Sequence, residues 1–336
     1  MLTTDRAAAA ILALHDVGLL IHVLPEVAHM DGVAQSYPHF EDVLRHTLRV
    51  IQNIVQLRNW LSGRSAVQAN GSKAEQEIVD NTALSGQAMQ RWIEIMAPHK
   101  VALHHHFAEP LATGRTRAEW LVWHALLHDI GKPETRTEEP QPNGTTRYRF
   151  FEHEQVGANL VEQRLTALRF SRLEVALAQR VTAFHMRPHL LNSSFLGQPL
   201  SRRPQYRFFR DTLGTQSGGQ RDGIDVLCLA IADYQAIHHH EEQQNREQHN
   251  DYLHHVQELF DYVFDQRGFQ ATQQQPLVDG NLLMKVLGLA PGRQIGQILD
   301  TIQEAQAAGE VESVESALAY AADWLEKNAA TKTRHE

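Results

Sequence analysis

The chain has 336 residues, 42% of them hydrophobic and 21% charged, an ordinary balance for a globular protein with room for two domains and a sizeable core. Lysine and arginine number 31 against 40 aspartates and glutamates, a net charge of −9, so the surface as a whole repels nucleic acid and RNA contact must use a local basic patch. The one cysteine, Cys228, excludes an internal disulfide, and no bilayer-length apolar run or secretory pattern is read, so the expected setting is cytoplasmic with no membrane partner.

Residues 5–36 read as a short helix followed by a connection that contains proline. Val43, Leu44, Leu48, Ile51, Ile54 and Val55 then recur with helical period and predict a helix over 38–60, with His46 beside the apolar stripe and therefore buried. The polar run 61–73 reads as an exposed loop. Helices follow over 80–98 and 116–130, the second ending at His128-Asp129. An imidazole next to a carboxylate can hold a divalent ion, but adjacent helical side chains diverge, so the remaining ligands must come from distant segments. Gly131 is expected to leave the helix in a left-handed cap, Pro133 to stop it from resuming, and Lys132 to sit beside the ion.

The stretch from Thr135 to Phe151 predicts a β-hairpin turning at Asn143-Gly144, with Arg147 and Arg149 on one face. Helices over 153–169, 172–184, 222–244 and 246–266 come next. His153 opens the first of them and His185 ends the second. Asp233 sits in an almost wholly apolar helix, where a carboxylate without a partner is costly to bury and an ion would remove that cost. A Gln-rich linker over 270–275 precedes three amphipathic helices over 281–287, 293–307 and 313–326. The histidines number 21, and most have no ligand geometry: His104–His106 and His238–His240 point in different directions along a helix, while His15, His22, His29, His39 and His99 read as structural or surface residues.

The order His46, His128-Asp129, Asp233 resembles the signature of the HD superfamily of metal-dependent phosphohydrolases. The motifs Asp42-Val-Leu-Arg-His-Thr-Leu48, His128-Asp-Ile-Gly-Lys-Pro133, Phe151-Glu-His-Glu-Gln-Val-Gly-Ala158 and Gly288-Leu-Ala-Pro-Gly292 are similar to the HD-containing bacterial tRNA nucleotidyltransferases and their poly(A)-polymerase-like relatives. The resemblance implies an all-α fold: an HD-domain helical bundle with a small β-hairpin insert and a helical C-terminal tail. Its parts are an N-terminal segment over 1–36, the HD domain over 37–269 and the tail over 276–328. It further implies one or two divalent ions (Ni, Co, Mn, Fe or Mg), with His46, His128, Asp129 and Asp233 on one, His153 and His185 on a second, and Asp129 shared between them.

Asp129 and Lys132 are expected to be catalytic, Lys132 neutralising charge on the phosphoryl oxygens, and Lys132, Arg136, His124 and His189 to border the substrate. The Gly-rich phosphate loop and paired carboxylates of a nucleotidyltransferase head are not found ahead of the matching region, so nucleotide addition is not expected. The expected reaction is phosphodiester or phosphomonoester hydrolysis on nucleotides or RNA 3′ ends, 2′,3′-cyclic phosphates among them. The alternatives are nucleoside 5′-mono- or triphosphate hydrolysis, or a tRNA-binding module in which the HD site is incidental. The tail reads either as an RNA-holding element, with tRNA as partner, or as a packing and homodimerising one.

Overall fold

The computed structural model describes residues 2–64, 86–111, 114–195, 198–214, 221–238, 246–265 and 274–332. Three short helices come first, α1 (Ala7–Asp16), α2 (Leu20–Val23) and α3 (Pro25–Ala28), which bury Ala7, Ile11, Leu20 and Val27. The long helix α4 (Val43–Leu61) starts where the Asp42 carboxylate accepts from the Arg45 amide at 2.8 Å, taking up an amide that the first turn leaves without a helical partner. Then come α5 (Gly86–Met96), α6 (Lys100–Ala108) and α7 (Arg117–Leu127). A capping box between Thr116 and Glu119 sets the start of α7, and its apolar run from Trp120 to Leu127 carries the chain inward to His128. The expected loop over 61–73 and the first turn of the helix expected from residue 80 lie largely outside the described residues.

Past Asp129 the chain makes one helical turn, α8 (Lys132–Thr135), and then the predicted hairpin, β1 (Arg136–Pro140) against β2 (Thr146–Phe150), antiparallel with Arg136 opposite Phe150 and Glu139 opposite Arg147. Pro133 does not stop a helix here. It occupies the first turn of α8, where the missing amide hydrogen has no intrahelical acceptor to lose. Next are α9 (His153–Ala167), α10 (Arg172–Phe184), which opens with a Ser171/Glu174 capping box, α11 (Arg187–Phe195), α12 (Arg202–Asp211), α13 (Asp222–His238) and α14 (Arg246–Phe264). The tail holds α15 (Gly280–Leu287), α16 (Arg293–Ala307) and α17 (Val314–Lys332). The protein is all-α apart from the hairpin.

The chain divides into two units, Met1–Gly197 with Thr212–Phe260, and Gln198–Asp211 with Asp261–Glu336. In the first, α13 is the central element. Every residue from Asp222 to Ala236 is buried, as an apolar surface on all sides of a helix requires, and α4, α7, α10 and α11 pack around it while α9 pairs with α10. The Asn53 side chain donates to the Ala232 carbonyl at 2.8 Å, tying α4 to α13 one residue before Asp233. In the second unit, Val278, Leu283, Ile295, Ile298, Ile302, Val311 and Ala317 form the core. There α12 packs on α16, with Arg207 and Arg210 paired to Glu304. No described helix is long and apolar enough to cross a membrane.

Candidate metal centre

Six residues from five segments converge on one place in the first unit. His46 lies in the first turn of α4, Asp233 near the end of α13, His128 at the C-cap of α7 with Asp129 after it, His153 at the start of α9 and His185 at the C-cap of α10. They form two groups, His46/His128/Asp233 and Asp129/His153/His185. Within each group the ligand atoms lie within 4.8 Å of one another, and all six residues are buried. Asp129 faces both. Its Oδ1 is 3.4 Å from His153 Nε2 and 3.6 Å from His185 Nε2, and its Oδ2 is 3.1 Å from His128 Nε2 and 3.7 Å from His46 Nε2.

Three of the histidines are held alike. Nδ1 of His128, His153 and His185 donates to the carbonyl three residues back, on Ala125 (2.8 Å), Phe150 (2.8 Å) and Thr182 (2.7 Å). That fixes the tautomer in which Nε2 keeps its lone pair and aims it at the centre. The His153 and His185 Nε2 atoms stand 3.3 Å apart, and His46 Nε2, His128 Nε2 and Asp233 Oδ1 are buried without a hydrogen-bond partner. Lone pairs brought together in this way repel unless a cation lies between them, and burying them otherwise carries an uncompensated desolvation penalty. The donor set therefore fits divalent metal ions, with mixed imidazole and carboxylate ligation.

Charge is concentrated here. Burial alone raises a carboxylate pKa, yet His128 and Lys132 outweigh it at Asp129, and His189 and His46 outweigh it at Asp233, so both stay well below the usual range. Burial lowers the His185 pKa. Lys132, buried like the ligands, puts Nζ 2.7 Å from Asp129 Oδ2 and donates at 2.7 Å to Gln35 Oε1. His189 on α11 stacks on Tyr252 with its Nε2 3.4 Å from Asp233 Oδ2. Gly131 is not a left-handed cap, for its φ is −83°. Glycine is needed for proximity: a Cβ there would stand 2.2 Å from the His153 carbonyl oxygen and 2.6 Å from the Gly157 amide.

Two residues beyond the predicted set border the centre. His39 meets His46 edge-on at 4.8 Å between ring centroids, and Gln35 holds Lys132. Both lie in the irregular stretch before α4, where no period points a side chain anywhere. Arg136 is paired with Glu138 and stacks over Tyr148, and Arg149 is paired with Glu139. His124 is fully buried and finds Asp225 at 3.6 Å. It joins an interior cluster in which Arg117 bridges Asp222 (2.7 Å) and Asp225 (2.6 Å), while His106 reaches Asp225 at 2.8 Å. Of the triplet His104–His106, then, only His106 faces inward.

Residues 101–237 match the HD domain family. This segment is therefore similar to HD domains. Five of the six converging residues fall within it, and the sixth, His46, is supplied by α4 from outside the match. Members of that family bind divalent metals, and the two His/Asp groups are where this chain could hold them. Over 334 residues the chain is 26% identical to the A-adding tRNA nucleotidyltransferase of Deinococcus radiodurans, covering 97% of the chain and 57% of that relative. Over 330 residues it is 26% identical to the CC-adding tRNA nucleotidyltransferase of Thermus thermophilus, covering 96% and 54%. The chain thus spans a little over half the length of these two relatives.

Proposed function

We propose that the HD domain hydrolyses phosphodiesters at a pair of divalent ions, acting on nucleotides or RNA 3′ ends and most readily on 2′,3′-cyclic phosphates. The observation that carries this reading is Asp129, whose two carboxylate oxygens face two separate histidine groups. In the proposal His46, His128, Asp129 and Asp233 hold one ion, and Asp129, His153 and His185 hold the other. Bound there, divalent ions lower the pKa of a water and polarise a phosphoryl oxygen.

The protein's own residues supply the rest. The three carbonyl-bound histidines turn Nε2 toward the centre, placed to ligate. Lys132, placed by Gln35, offsets negative charge gathering on the phosphoryl oxygens, and His189 orients Asp233. Arg136, engaged by Glu138, reaches a substrate only by exchanging that partner. Among the described residues there is no Gly-rich loop to cradle a triphosphate, and the net charge of −9 disfavours highly anionic ligands, so a singly charged diester suits the centre better. The names of the two relatives make a tRNA 3′ end the favoured RNA.

The test is a metal-activated comparison of substrates. With Ni, Co or Mn the chain is expected to hydrolyse 2′,3′-cyclic AMP faster than ATP or dGTP, and His128→Ala to abolish the activity. Dominant triphosphate hydrolysis, with cyclic nucleotides untouched in all three metals, would overturn the proposal.

A further inference from the structure

Among the described residues, the large hydrophobic side chains that stand exposed are mostly aliphatic, four of them within residues 17–23, but three are aromatic: Tyr37 (69% exposed), Phe40 (59%) and Phe151 (66%). All three lie on the two segments that border the His/Asp centre. Phe40 lines, with His39 and Glu41, a small cleft that reaches His46 and Ile237. Tyr37 meets Phe40 edge-on at 6.0 Å, and its neighbours Gln35 and Ser36 bind Lys132 and the Tyr148 amide, so this stretch is fastened both to the site lysine and to the hairpin. Phe151 follows the hairpin directly, two residues before His153, with the Arg149 guanidinium 5.6 Å from its ring centroid.

We infer that Tyr37, Phe40 and Phe151 form a stacking platform for the unpaired bases of a single-stranded RNA whose 3′ end lies in the centre. The inference rests on the proposed hydrolysis of RNA ends and adds how the RNA is held. Exposed flat rings beside a phosphoryl-binding site, one of them already stacked by an arginine, present the surface that splayed bases use and that an aliphatic protein partner does not require. Charge plays a small part. The hairpin carries Arg136, Arg147 and Arg149 against Glu138 and Glu139, and two of those arginines are already paired. Binding therefore comes from stacking more than from phosphate contacts, and its salt dependence is shallow.

The test uses the full chain, a 5′-labelled octa-adenylate followed by fluorescence anisotropy, and the same oligomer ending in a 2′,3′-cyclic phosphate for hydrolysis. Phe40→Ala and Phe151→Ala are each expected to raise Kd and KM on the order of tenfold, the scale of one lost base stack. Tyr37→Phe, which keeps the ring, stays near wild type while Tyr37→Ala does not. Elemental analysis of each variant shows whether the centre is intact. Affinities within twofold of wild type in all the alanine variants, or no oligomer binding by the wild type, overturn the platform. Self-association that the alanine variants abolish, with RNA binding unchanged, also overturns it and assigns the rings to a second copy of the chain. The two readings fail separately: ring-dependent binding without hydrolysis sinks the reaction alone, and hydrolysis with a KM indifferent to the rings sinks the platform alone.

Discussion

Replacing Gly131 by alanine is the sharpest perturbation of the centre that leaves every ligand side chain in the sequence. A Cβ at that position would meet the His153 carbonyl oxygen at 2.2 Å and the Gly157 amide at 2.6 Å, both backbone atoms. Neither can rotate away as a side-chain tip would. The first turn of α9 must retreat from the Asp129 turn by about 1 Å, and overpacking of this kind costs about 1–3 kcal/mol. In a unit of this size that lowers Tm by roughly 2–10 °C. The retreat also moves the His153 ring away from Asp129 and His185, leaving His46, His128 and Asp233 on α4, α7 and α13 where they were. The expected result is a folded, less stable protein that loses the ion of the His153/His185 group and keeps the other. Differential scanning calorimetry with elemental analysis measures both. Gly144→Ala is the control, since its φ of +81° strains an alanine but nothing lies within 4 Å of the added Cβ. A Gly131→Ala protein with wild-type Tm and full metal content would refute the reasoning.

Metal content should divide along the two groups: Asp129→Ala loses both ions and His185→Ala chiefly one, so wild type holding a single ion that His185→Ala leaves unaltered would sink the binuclear assignment. The Arg117/Asp225 cluster should matter for stability. Asp225→Asn removes the charge that Arg117 meets at 2.6 Å while leaving it Asp222 at 2.7 Å, and should cost up to about 3 kcal/mol in urea unfolding at pH 7. Arg117 and His106 outweigh burial and hold the Asp225 pKa low in the folded state, so its stabilisation is complete above about pH 4, the unfolded value, and is lost as pH falls through the folded one. The wild-type advantage over Asp225→Asn should therefore shrink in acid, and a gap constant from pH 7 to pH 3 would count against it. Finally, this chain incubated with labelled ATP or CTP and a tRNA lacking its 3′ end should leave the RNA unextended, an outcome that a clear extension product on a gel would reverse.

Much of the bundle is legible in the sequence because α4, α7, α10 and α13 announce themselves through apolar period, capping residues or an unbroken apolar run. The hairpin is legible for a similar reason, with Asn143-Gly144 between two short alternating stretches. What escapes sequence reading has particular causes. α11 and α12 begin with Pro188 and Pro204 near their starts, and a proline read as a stop is equally at home in a first helical turn. α6 carries three consecutive histidines, which mask a pattern that nonetheless buries Leu103, His106 and Phe107. At the centre, His46, His128, Asp129, His153, His185 and Asp233 stand out as chemistry-bearing groups on apolar helices. Gln35 and His39 do not, because the chain around them is irregular and their partners, Lys132 and His46, are distant in sequence. His124 shows the opposite limit. Its spacing of four from His128 suggests a shared face, yet the acid that it meets, Asp225, lies a hundred residues away and draws it into the interior cluster.

The bonds from His128, His153 and His185 to the carbonyls of Ala125, Phe150 and Thr182 make the imidazole tautomers indifferent to side-chain drift. An acceptor supplied by a carboxylate disappears with a single codon change. A main-chain carbonyl survives any substitution at positions 125, 150 and 182 that keeps the local backbone in place. Related chains can therefore differ at these three positions, within what packing allows, while keeping the same proton arrangement, and the identity of these residues would carry no trace of the arrangement that holds the rings. Mutational tolerance there should follow backbone conformation and the space available, with proline excluded at all three positions and only small exchanges accepted at the fully buried Ala125 and Thr182.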